Sequence, residues 1–95
     1  MGLSVYTKIE LLKYIKHFIE NGKIEIAKVF IRQLINETRR ASTLISLNEM
    51  LDSLNYENKV FHQMVLDRIN ELLENEEELS LFFSSEDNSS TSDDT

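Results

Sequence analysis

Two histidines, His17 and His62, are the residues best suited to proton transfer or metal binding in this chain. Neither has a second imidazole, carboxylate or thiolate four residues away, the spacing that would put two ligands on one turn of a helix. Each stands beside a phenylalanine, Phe18 or Phe61, as a structural histidine at the edge of an apolar face does. Glu49, Asp52, Asp67 and Glu71 could form a carboxylate pair, but no spacing separates a general acid from a general base. Cysteine is absent, which excludes thiolate zinc sites, disulfides and cysteine nucleophiles and points to an intracellular setting. No glycine-rich loop is present to cradle a phosphate. The serines cluster near the C-terminus, where nothing would hold an oxyanion hole or a base. No catalytic residue, metal or cofactor is expected, and the chain reads as a non-enzymatic protein.

The remaining chemistry is that of surfaces. The net charge of −7 over 95 residues conceals a gradient. Residues 1–40 carry eight Lys/Arg against four Glu, net +4; residues 41–75 carry two against six acids, net −4; residues 76–95 carry seven acids and no base. Lys13, Lys16, Lys28 and Arg32, together with Lys23, Arg39 and Arg40, make the front basic and are the candidate second partner surface. No cluster of base-reading side chains accompanies them, so direct nucleic-acid binding is not expected.

These groups need elements to position them. Apolar residues make up 41%, with no Pro and two Gly, so one small helical domain is favoured over a turn-rich β fold. The spacing predicts four helices. The first starts near Thr7, with Thr7 and Glu10 as a capping box, and buries Leu11, Leu12, Ile15, Phe18 and Ile19. Asn21-Gly22 ends it and turns the chain into an antiparallel second helix over 23–39. Its apolar stripe is Ile26, Ala27, Phe30, Ile31, Leu34 and Ile35, with Glu25, Lys28, Arg32 and Asn36 on the wet face. A third helix over 47–54 is opened by a Ser46/Glu49 capping box, or begins already at Ser42 or Thr43, and stops at Asn55. The fourth runs over 58–77 on Val60, Phe61, Met64, Val65, Ile69, Leu72 and Leu73. Its terminal Glu74 and Glu76-Glu77-Glu78 oppose the helix dipole and should fray it. One helical hairpin of this kind is not a repeat array.

The domain so defined covers residues 1–78, and residues 84–95, polar and acidic, are expected to form a disordered tail. Between them lies Leu79-Ser80-Leu81-Phe82-Phe83. Either helix 4 continues and folds this segment onto the core, or it docks on another protein, or it forms a dimer contact. Glu78-Leu79-Ser80-Leu81-Phe82 resembles the pentapeptide Gln-Leu-(Ser/Asp)-Leu-Phe with which bacterial proteins bind the replication sliding clamp, with Glu78 in place of Gln. In the eukaryotic and archaeal frame of that motif, Glu76, Leu79, Phe82 and Phe83 fall into place. The resemblance implies that Glu78, Leu79, Ser80, Leu81, Phe82 and Phe83 bind a clamp or a similar groove. The helices resemble the small enhancer-of-yellow family through residues 18–22 and 65–73. That resemblance implies an adaptor that wraps a partner's helix in transcription-coactivator and mRNA-export complexes.

The expected function is therefore a non-enzymatic regulator or adaptor with a protein partner, as a homodimer or with an obligate partner, the alternatives being the structural adaptor just described and a small dimeric nucleic-acid-binding regulator. No apolar run reaches the length of a membrane span. Met1-Gly2-Leu3-Ser4-Val5-Tyr6 departs from a myristoylation signal at Tyr6, and the Asn36 and Asn88 glycosylation triplets follow no secretion signal. A cytoplasmic or nuclear location is expected.

Overall fold

In the computed structural model, which describes residues 2–84, five helices follow one another: α1 (Val5–Glu20), α2 (Ile24–Asn36), α3 (Ala41–Leu54), α4 (Lys59–Glu74) and α5 (Glu76–Phe82). No strand occurs among the described residues. The all-α fold expected from the pattern is present, with one helix more than expected. The expected tail, apart from Ser84, lies outside the described residues.

The hairpin forms where the sequence marked it. Gly22 adopts φ +75°, and the amides of Gly22 and Lys23 return to the carbonyls of Ile19 and Phe18. That pair of bonds closes a helix on a left-handed residue, a conformation that costs glycine nothing. The start of α1 differs from expectation. Ser4 is the cap, its Oγ accepting from the Thr7 amide at 3.1 Å, and Thr7 already lies in the first turn. Glu10 reaches Lys13 at 3.3 Å and does not cap.

The second helix ends at Asn36, three residues early. The Thr38 hydroxyl donates to the Leu34 carbonyl at 2.6 Å and closes the last turn there. Arg39 and Arg40 fall in the link, where Arg40 Nε donates to Ser42 Oγ at 3.1 Å. The third helix begins at Ala41, close to the alternative start and well before Leu47; Ser46 and Glu49 lie inside it and cap nothing. Its first turn is fixed by packing: Thr43 is buried, and its hydroxyl donates to the Phe82 carbonyl.

Helices α1 to α4 pack in sequence, and α4 returns against α1, closing a four-helix ring around Leu12, Ile15, Ile31, Leu34, Leu47, Ile69 and Leu72. The expected single helix over 58–77 breaks at Asn75, which is extended (φ −126°, ψ 100°) and whose side chain accepts from the Glu78 amide at 3.0 Å. Glu76, Glu77 and Glu78 thus begin a new helix, where their charge suits the dipole instead of opposing it. The break redirects the chain so that α5 packs on α4, and its carbonyl at Phe82 meets the start of α3.

The boundary expected at residue 78 therefore does not hold. Leu79, Phe82 and Phe83 belong to the core, and Phe83 is only 1% exposed. Burial of such side chains is favourable by roughly 1.5–3 kcal/mol each, and a ring this small gains from every one. Truncating Phe83 to Ala should lower unfolding stability by about 3–5 kcal/mol in denaturant titrations. Leu81→Ala, at a position 54% exposed, should change it by less than about 1 kcal/mol.

Candidate functional site

The residues expected to dock on a partner are divided by the structure. Leu79, Phe82 and Phe83 face inward, while Glu78, Ser80 and Leu81 face out. The rings of Phe82 and Phe83 meet edge to face, 5.0 Å apart, and Arg68 lies 5.9 Å from the centroid of Phe82. Glu78 is held by Arg68 at 3.3 Å. A segment left free for a sliding clamp is thus not what residues 79–83 form. Three of the four apolar anchors would first have to leave the core.

The basic surface is also divided. Lys28 is buried, and its Nζ donates to Asn55 Oδ1 at 3.0 Å and pairs with Glu25 at 2.9 Å. It ties the middle of α2 to the end of α3 and is not on the wet face. Lys13 is exposed but paired with Glu10, Lys16 is half-buried, and Arg32 is exposed. Lys8, not singled out by its pattern, is buried; its Nζ donates to the Glu37 carbonyl at 3.1 Å, a cation at the negative end of α2. Replacing Lys28 with Met should cost about 0.5–1.5 kcal/mol, the net worth of its bond to Asn55, because the exposed Asn55 side chain is then met by water. Arg32→Ala should stay within about 0.5 kcal/mol, both read by thermal or denaturant unfolding.

The histidines and acids do not converge. His17 Nδ1 is 3.4 Å from the Asn21 amide nitrogen, and its ring packs against Phe18. His62 Nε2 lies 2.7 Å from the Tyr56 carbonyl oxygen and so carries the proton in that contact. Asp67 accepts from Gln63, and Glu71 pairs with Arg68 at 3.5 Å. Among the described residues no group of three or more His, Asp or Glu could hold a metal ion.

What the structure does assemble is an open groove between α3 and α4. Two adjoining hollows, of about 210 and 340 Å³, share Glu49, Ser53 and Met64. The first is completed by Ser46, Met50, Val65 and Arg68, the second by Asp52, Tyr56 and Phe61. The groove is open because Ser46 and Ser53, on the side of α3 turned to α4, are too short to fill it. Tyr56 and Phe61 stack edge to face at 5.2 Å and close one end.

Two large apolar side chains of the lining stand exposed, Tyr56 at 59% and Met64 at 56%; Ile45 and Val60, one turn before Glu49 on α3 and before Met64 on α4, are exposed as well. Val60 and Met64 were expected in the buried stripe of helix 4. They lie one and two turns along a line rotated away from Val65, Ile69 and Leu72, and the bundle covers only the latter. The width of that stripe, broader than one neighbour can bury, was the signal in the sequence. Ile26 of α2 is likewise 41% exposed, not buried.

Compared with protein-family models, curated proteins and solved structures, the chain shows no match. No helix among the described residues is long and apolar enough to cross a membrane.

Proposed function

We propose that this domain is a non-enzymatic adaptor that holds a helix of another protein in the α3/α4 groove. The observation that carries the reading is the pair Tyr56 and Met64, exposed in the lining of the groove, with Ile45 and Val60 exposed one turn before Glu49 and Met64 on the same two helices. Scattered exposed apolar residues are ordinary; adjacent ones that line one cleft support a binding surface. A helix laid in such a groove offers apolar side chains at i, i+3, i+4 and i+7, which match the spacing presented by two neighbouring helices. Each wall side chain that becomes buried contributes roughly 1.5–3 kcal/mol before the cost of association. The reading keeps the adaptor role and moves the contact from residues 79–83 to α3 and α4.

The reading is tested by titrating the isotope-labelled full chain with a helical peptide bearing a leucine stripe and uncharged polar flanks. Amide shifts should change saturably in Ile45, Ser53, Tyr56 and Met64 and much less in α1 and α2. Met64→Glu should abolish the response without lowering the melting temperature, since the side chain already faces water. Absence of saturable shifts, or shifts centred on the α1/α2 hairpin, would overturn it.

A further inference from the structure

We infer that the helix accepted by the groove is flanked by Lys and Arg, so that the adaptor selects basic amphipathic helices. This rests on the groove reading above and adds the chemistry of the partner. Glu49 and Asp52 line the groove, and neither has an ion-pair partner among the described residues. The one cation in the lining, Arg68, has its guanidinium engaged by Glu71 at 3.5 Å and Glu78 at 3.3 Å. Its charge is matched within the chain, and those of Glu49 and Asp52 are not. The surrounding stretch reinforces the sign, since residues 41–75 carry two bases against six acids, net −4. Apolar side chains between unmatched carboxylates are complementary to an apolar stripe bordered by cations.

Other occupants fit less well. A nucleic-acid backbone would meet carboxylates instead of cations. A second copy pairing groove to groove would set Glu49 and Asp52 against the same acids. A second copy offering its basic α1/α2 hairpin would leave an unfilled groove and an unused hairpin at the two ends, and such head-to-tail contacts propagate unless they close a ring.

Three labelled peptides with one leucine stripe and Lys/Arg, Gln/Ser or Glu flanks are titrated onto the full chain at low and high salt. The basic peptide should bind best and the acidic one worst. Two rim pairs, at Glu49 and Asp52, should separate basic from neutral by roughly two- to thirtyfold at low salt, and salt should narrow the gap. Glu49→Gln with Asp52→Asn should bring the basic peptide to the neutral level and leave the neutral one unchanged. Equal binding of basic and neutral peptides, both lost in Met64→Glu, would overturn the charge inference and leave the groove reading standing. No binding by any peptide would overturn both. A concentration-dependent dimer in sedimentation that the basic peptide does not dissociate would overturn the inference in favour of a second copy.

Discussion

A ring of four short helices leaves its ends open, and in this protein one end is closed by the chain itself. Asn75 interrupts what would be a single long helix, and its side chain restarts the helix one residue later. The turn carries Leu79, Phe82 and Phe83 to the core, where the buried Thr43 hydroxyl donates to the Phe82 carbonyl. Without that closure the inner ends of α3 and α4 would border solvent. The start of α3, the break in α4 and the burial of the phenylalanine pair are thus one arrangement, not separate features.

That closure also decides which surfaces are left for other molecules. Leu79, Phe82 and Phe83 are consumed internally, and Lys28 is consumed in joining α2 to Asn55 at the end of α3. Among the surfaces that stay outward is the α3/α4 face, where serines border a cleft and Tyr56 and Met64 meet water. The electrostatic character of that face follows from Glu49 and Asp52, which no cation of the described chain neutralises. Rigidity of the walls matters here, because a groove that is already formed does not have to be ordered when a helix enters it.

Much of the fold was legible in local sequence. Asn21-Gly22 specifies the hairpin through a backbone conformation that other residues resist, and Asn55 and Asn58 mark a helix end and a helix start by their side-chain chemistry. The failures share a cause in tertiary contacts. Ser46 and Glu49 carry a genuine capping pattern, yet Thr43 and its distant carbonyl partner draw the helix start upstream. Nothing about Asn75 distinguishes it from the polar residues around it until the need to bury Phe82 and Phe83 is known. Lys28 looks solvent-facing on a helical wheel, because the Asn55 that receives it lies 27 positions away. Of the candidate site, Glu49 and Asp52 were visible as acids but had no role. Val60 and Met64 were visible as apolar but were assigned to the wrong side of their helix.

The extended backbone at Asn75 has a consequence for how the native state comes apart. Seven residues are too few to stay helical unaided, and α5 is held by packing on α4, by burial of Leu79 and Phe82, and by the bond from Thr43. Its helical form therefore depends on the core that Leu79, Phe82 and Phe83 join, so the last helix and the ring hold or fail together. Exposure of that phenylalanine pair to solvent is thereby coupled to loss of the whole fold, which ties protection of the C-terminal helix to the strength of the ring.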